Sequence, residues 1–281
     1  RMNILDKIIA NKRIEVDRAK KMIGIDELTS RPLFPRISTS LRASLEVHDE
    51  PGIIAEFKRK SPSKGSINDH VLPEIVTRGY VDEGASCLSV LTDTVFFGGG
   101  FEDFSKARQA NPAIPMLRKD FMVDEYQLYE AKALGADVVL LIAACLSPKE
   151  IELLSKKAHE LDLEVLLELA QSLHLDVLLE VHDAFELERS LCETIDRVGV
   201  NNRNLKTFTT SIETSLELSE LIPDRFVKIS ESGLKDAQTI SDLYGAGYKG
   251  FLIGETFMTA TDPALALRQL RNEIRSLSHH P

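Results

Sequence analysis

Glu56 and Lys58 stand two residues apart at the end of an apolar run, Gly52-Ile53-Ile54-Ala55-Glu56. Side chains alternate on an extended strand, so both point to one face. A carboxylate and an ammonium placed there can exchange protons with a bound molecule, each shifting the other's pKa, or can form an ion pair that only fills the interior. Arg59, Lys60 and Lys64 follow and make four basic residues within 58–64, which suit an anion or a solvated loop. Lys119 in Arg118-Lys119-Asp120-Phe121 is a functional ammonium or a solvated lysine. Glu180 ends a third apolar stretch, and Arg203 in Asn201-Asn202-Arg203-Asn204 offers a planar fork for a carboxylate or phosphate, or for a surface ion pair. Gly233 and Gly254 let backbone amides approach a phosphate or simply serve turns. Phe96-Phe97-Gly98-Gly99-Gly100 combines aromatic surface with a pliable loop, or covers core phenylalanines. The seven histidines show no ligand spacing, so no metal site is expected. No GxSxG or P-loop signature occurs.

These residues need a frame that gathers them. From residue 51 onward short apolar runs alternate with helical patterns. The runs are 52–56, 87–91, 114–117, 137–142, one ending at Glu180, then 198–200, 226–229 and 250–253. Helical periodicity fills 101–109, 124–134, 184–194, 211–220, 235–245 and 263–277. Uninterrupted strand–helix alternation implies parallel strands, and continuous rather than alternating apolar runs imply burial on both faces. Eight such units predict a single (β/α)8 TIM barrel, whose chemistry sits at the C-terminal strand ends, where all the residues above fall. An open doubly wound sheet is the alternative, but no GxGxxG turn follows any strand. Ahead of the barrel (49–281) lies an N-terminal helical extension over 1–48. It holds an amphipathic helix at 3–23 with Ile4, Ile8, Ile9, Val16 and Met22 on its stripe, a Pro/Ser/Thr connector at 30–40 and a short helix at 41–48, and is expected to act as a lid.

One region supplies nine strand candidates for eight seats. AHELDLEVLLEL at 158–169 and AQSLHLDVLLEV at 170–181 abut and share seven of 12 positions, a local tandem duplication. No Gly or Pro lies between Pro148 and Gly199, so a helix starting near 148 has no evident stop and its apolar stripe runs on through the first copy. The second copy is followed by His182-Asp183 and a helical pattern with Asp183 as N-cap. The second copy is therefore expected to be the fifth strand, with Glu180 rather than Glu168 at the mouth.

The 281 residues accommodate one large barrel with an appendage. With 34 Lys+Arg against 44 Asp+Glu the net charge is −10, which argues against a nucleic-acid or membrane-surface partner but not against a small anionic ligand in a basic pocket. Cys87, Cys145 and Cys192 are widely spaced, as for reduced thiols in the cytoplasm. No signal-peptide block or 18-residue apolar run is present.

In order along the chain, IIAEFKRKSPSKG (53–65), LSVLTD (88–93), FFGG (96–99), LRKDF (117–121), LLEVHD (178–183), VNNRNL (200–205), SESG (230–233) and FLIGE (251–255) closely resemble the motifs of indole-3-glycerol phosphate synthases. The resemblance covers about 50 to 270 and suits the N-terminal extension too. It implies a carboxy-lyase of tryptophan biosynthesis that closes, decarboxylates and dehydrates 1-(2-carboxyphenylamino)-1-deoxyribulose 5-phosphate without a cofactor. It implies catalytic roles for Glu56, Lys58, Lys119, Glu180, Asn201 and Ser232, with Lys119 as general acid and Glu180 as base or stabiliser of anilinium-like charge. It implies phosphate contacts from Ser61, Gly233 and Gly254, an anthranilate pocket of Phe97, Phe121 and Ile253, and Arg203 with Asn201 at the substrate carboxylate. Glu255 stands beside the phosphate position, so its side chain is expected to point away. The protein is expected to be a cytoplasmic monomer or weak homo-oligomer. Competing readings are another phosphate-binding barrel, such as a phosphoribosylanthranilate isomerase, which leaves EFKRKSPSK unexplained, and a binding barrel impaired by the duplication.

Overall fold

A computed structural model describes residues 2–170, 191, 193–204 and 208–279. Eight parallel strands close into a barrel: β1 (Gly52–Phe57), β2 (Cys87–Leu91), β3 (Met116–Lys119), β4 (Val138–Ile142), β5 (Glu164–Ala170), β6 (Arg197–Asn201), β7 (Val227–Glu231) and β8 (Tyr248–Ile253). Each pairs with its neighbours in sequence, and β1 closes on β8 with Gly52 opposite Gly250 and Ala55 opposite Ile253. The strands are buried along nearly their whole length because helices cover the outside and side chains fill the inside. Ile54, Cys87, Leu117, Leu140, Leu166, Ile229 and Leu252 belong to the interior cluster, and their alternates pack outward against helices.

The sequence before β1 covers both ends of the barrel. Helix α1 (Ile4–Met22) starts in a capping box, with Asn3 accepting from the Asp6 N–H at 2.9 Å and Asp6 accepting from the Asn3 N–H at 3.2 Å. Ile4, Leu5 and Ile8 reach the mouth. The buried stripe is Leu5, Ile8, Lys12 and Val16: Ile8 and Val16 are buried as expected, Ile4 and Ile9 are half-buried, Met22 is exposed, and Lys12 sits on the buried face with carboxylate partners. Helix α2 (Ile25–Thr29) follows. Helix α3 (Leu41–Glu46) plugs the opposite end: Leu45 sits where a Cβ on Gly52 would meet it at 2.5 Å and one on Gly250 at 3.2 Å, so these two glycines make room for the plug.

The fifth strand corrects the expected choice. Helix α3 is followed by α4 (Pro73–Asp82), α5 (Phe101–Ala110), α6 (Tyr126–Leu134) and α7 (Pro148–Glu160), the last capped by a Ser147–Glu150 box. Helix α7 does not run on through the first repeat copy. It ends in a Schellman turn, with the Leu163 N–H donating to Ala158 O at 2.9 Å, the Asp162 N–H donating to His159 O at 3.0 Å, and Asp162 at φ 57°. Aspartate tolerates the left-handed region better than most residues, and contacts from afar fix it there: the Ser38 N–H donates to Asp162 Oδ2 at 2.8 Å and Lys132 Nζ lies 3.5 Å away. Glu164 then binds the Leu41 N–H and Arg197, each at 3.1 Å. The first copy thus occupies the seat. In the second copy the aligned residues are His174 and Asp176, so the two partnered side chains are among those that differ. Glu180, Cys192 and most of the helix expected at 184–194 lie outside the described residues. The remaining helices are α8 (Glu213–Ser219), α9 (Ala237–Gly245), α10 (Glu255–Met258) and α11 (Pro263–Ser278). Cys87 and Cys145 are free thiols.

Candidate active site

Inward alternation carries a charged or amide side chain to the C-terminal end of five strands. Glu56 follows Ile54 on β1, Lys119 follows Leu117 on β3, Glu168 follows Leu166 on β5, Asn201 ends β6, and Glu231 follows Ile229 on β7. They converge on the floor of one cavity of about 1080 Å³. Lys119 Nζ lies 2.8 Å from Glu231 and 3.4 Å from Glu56. Glu56 also accepts from Ser89 Oγ at 2.7 Å and has Lys58 at 3.6 Å. The Asn201 amide donates to Glu168 at 3.1 Å, and Glu168 and Glu231 are in hydrogen-bonding contact. The Glu56–Lys58 pair is therefore one end of a row, Lys58–Glu56–Lys119–Glu231–Glu168–Asn201, that crosses the mouth.

The row contains three carboxylates and two ammoniums, so it carries one negative charge too many in a site where charge is costly. A shared proton removes it. Burial pushes Glu168 well above the usual carboxylate range, and the negative charge of Glu231 adds to the shift. Burial would raise Glu231 as well, but Lys119 outweighs it and holds Glu231 low. Burial opposes the charge of Lys119, yet Glu231, Glu56 and Glu168 overcome it and hold its pKa above the ordinary value. These surroundings favour the ammonium on Lys119 and the carboxylate on Glu231, while burial favours the protonated form of Glu168.

Around the floor stand two walls. Phe97 and Phe121, with ring centroids 5.9 Å apart, join Leu140, Ile142 and Leu252 on the apolar side, closed above by Ile4, Leu5 and Ile8. Opposite them, Ser61, Ser63, Lys64, Arg203, Ser232, Gly233 and Gly254 form the polar side. Ser232 and Gly233 both have positive φ, 70° and 71°, which turns the chain toward the cavity just past Glu231. Gly254 is needed for space, since a Cβ there would come within 3.0 Å of Glu56 Oε1. Of the four basic residues within 58–64, only Lys58 and Lys64 line the cavity. Arg59 pairs with Asp103 and lies over the Phe57 ring, 4.9 Å from its centroid.

The cavity brings together Glu56, Lys58, Lys119, Asn201, Ser232, Ser61, Phe97, Phe121, Arg203, Gly233, Ile253 and Gly254, all singled out from the sequence. Glu168 stands where Glu180 was expected. Glu231 and Ser89 received no role from the sequence, although inward alternation from Ile229 and Cys87 marks both. The side chain of Glu255 does not point away: it lines the cavity and pairs with Arg203 and Lys64. Among the described residues no cluster of His, Cys, Asp or Glu could hold a metal ion, and no helix is long and apolar enough to cross a membrane.

The fold is similar to that of 3-hexulose-6-phosphate synthase from Salmonella typhimurium (TM-score 0.62, 15% identity, covering 82% of this chain and 100% of that one). It is also similar to KGPDC from Streptococcus mutans (TM-score 0.59, 15% identity, 82% and 100%). At that identity the likeness shows the barrel alone. Sequence relatives go further. An indole-3-glycerol phosphate synthase from Bacteroides thetaiotaomicron is 46% identical over 273 residues, covering 97% of this chain and 99% of the relative. One from Polaromonas sp. is 43% identical over 272 residues, covering 95% and 98%. The family model described as indole-3-glycerol phosphate synthase matches residues 5–270, from the helix over the mouth to the last helix of the barrel. Since that match takes in every strand that contributes a side chain to the charged row, the chain belongs to the indole-3-glycerol phosphate synthase family.

Proposed function

We propose that the charged row and its two walls carry out the family's reaction in this chain, with Lys119 and Glu168 as the acid and base. Membership makes the protein a carboxy-lyase of tryptophan biosynthesis. The anthranilate ring packs on Phe97, Phe121 and Leu140, and the substrate carboxylate meets Arg203 and Asn201. The phosphate rests near Lys58, Ser61, Ser232, Gly233 and Gly254. Remote binding of the phosphate holds the ring carbon against the ketone carbon. As the bond between them forms, the Lys119 ammonium donates to the carbonyl oxygen, where negative charge develops. Carbon dioxide then leaves the ring and the new hydroxyl leaves as water, with Glu56 and Lys58 assisting. Glu168 passes its proton by way of Glu231 to Lys119, which has given one to the carbonyl oxygen; its carboxylate then faces the anilinium-like charge and takes up the proton lost from the carbon beside the nitrogen as water departs.

The observation that carries this reading is the row itself, with the Lys119 ammonium 2.8 Å from Glu231 and Glu168 on the far side of that carboxylate, beneath an apolar wall. Helix α1 is proposed as the lid of the extension over 1–48, on the contacts of Ile4, Leu5 and Ile8. A cytoplasmic setting fits the free thiols of Cys87 and Cys145. The impaired-barrel reading is disfavoured because β5 pairs with both neighbours and carries Glu168 into the row. Indole fluorescence on adding the carboxyphenylamino substrate tests the proposal against a dark background, because the chain has no Trp. Absence of product sinks it.

A further inference from the structure

The rim of the cavity holds a carboxylate among its cations, and the reaction above gives it no task. Glu255 follows Gly254 beyond β8 and places Oε2 3.3 Å from the Arg203 guanidinium and Oε1 3.5 Å from Lys64 Nζ. Arg203 is otherwise anchored by Ser63 Oγ at 3.2 Å, and its backbone N–H donates to the Asn201 side chain at 3.0 Å. Its guanidinium is thus already aimed into the cavity and already matched with an anion. Burial opposes the charge of Glu255, but Arg203, Lys64 and Lys58 outweigh it and keep the carboxyl below its usual range. At neutral pH two rim cations are therefore neutralised from within. The Glu255 side chain is 27% exposed, so it has a route to water when released.

We propose that Glu255 is an internal competitor: in the empty site its carboxylate holds the guanidinium of Arg203 and the ammonium of Lys64 that a ligand anion must engage. The proposal rests on the reading of this rim as an anion site. Any anion that engages them must first displace Glu255 and so loses the same pairing. Glu255 thereby weakens the binding of every anion that takes these donors, the substrate carboxylate included, by a common factor.

The test compares the wild type with Glu255→Gln, which removes the charge and keeps the shape. Sulfate and nitrate serve as dianionic and monoanionic inhibitors of turnover. In the variant, the sulfate Ki and the substrate KM are expected to fall about 2–5-fold, the scale of a partly solvated charge pair. The nitrate Ki should fall by a similar factor, because both anions displace the same carboxylate. The change is carried by KM and Ki rather than by kcat. Glu255→Ala repeats the measurement without an amide that could still hold Arg203. Equal sulfate inhibition in wild type and both variants overturns the proposal alone. Weaker sulfate binding in both variants also overturns it and makes Glu255 a support for Arg203. Sulfate that competes in none of the proteins overturns the anion-site reading together with the proposal.

Discussion

Lys12 and Lys119 are both buried, both surrounded by carboxylates and both held above the ordinary lysine pKa, yet they do different work. Lys12 on α1 lies 2.7 Å from Glu15, 2.8 Å from Asp93 and 3.0 Å from Asp120, three close carboxylates around one ammonium. Lys119 has one short contact, to Glu231 at 2.8 Å, and a longer one to Glu56 at 3.4 Å, and it faces the large cavity. The lysine ringed by three close carboxylates pins the roof helix to the loops after β2 and β3. The lysine with donor capacity left over can serve a ligand. A raised pKa does not separate the two; the number of short partners and the space in front do.

Breaking each lysine tests that distinction. Lys119→Met should lower kcat by about 10²–10⁴-fold, the usual worth of a positioned general acid, while the chain still unfolds cooperatively. Steady-state kinetics beside a thermal unfolding curve check this. Lys12→Met should cost about 3–5 kcal/mol of stability in urea unfolding, because Asp93 and Asp120 keep buried charges without their partner. Its kinetic effect should fall more on KM than on kcat, through a loosened α1. A Lys12 variant as stable as wild type but as slow as the Lys119 variant would erase the contrast.

The two repeat copies offer a second contrast. Glu168→Gln should lower kcat at least about tenfold, as expected for loss of a positioned acid–base group. It should also change how stability depends on pH. The folded pKa of Glu168 lies above its unfolded value, so its contribution is full at low pH and is lost as pH rises through the raised value. Gln does not titrate, so wild-type stability should fall relative to the variant as the medium becomes more alkaline. Glu180→Gln, the smallest effect, should leave turnover near the wild-type value, because Glu168 holds the seat at the mouth. Exchanged results would hand the seat to the second copy.

Much of this site was legible before any coordinates. Glu56, Lys58 and Lys119 end apolar runs, and a parallel barrel brings strand ends together whatever their spacing in the chain. Glu231 was equally accessible, since it continues the inward alternation of Val227 and Ile229. Lys12 was not, because a lysine in an amphipathic pattern is taken as solvent-facing, and Asp93 and Asp120 lie 81 and 108 residues away in sequence. Glu255 was expected to turn away from a phosphate position, but Lys64 and Arg203 take the anion nearest to hand, which is Glu255 itself.

The sequence by itself determined the barrel, the strand ends that carry chemistry and the family, because those depend on local periodicity and on short motifs. Only the tertiary structure decided which of two near-identical copies becomes β5. Local pattern favoured a helix through the first copy, as no Gly or Pro stops it. The chain stops instead at Asp162, in a left-handed conformation fixed by Ser38 and Lys132, and Glu164 is tied to Leu41 and Arg197. Those partners lie between 30 and 124 residues away, beyond the reach of any window of local sequence, and their hydrogen bonds offset a turn that an isolated segment would not make.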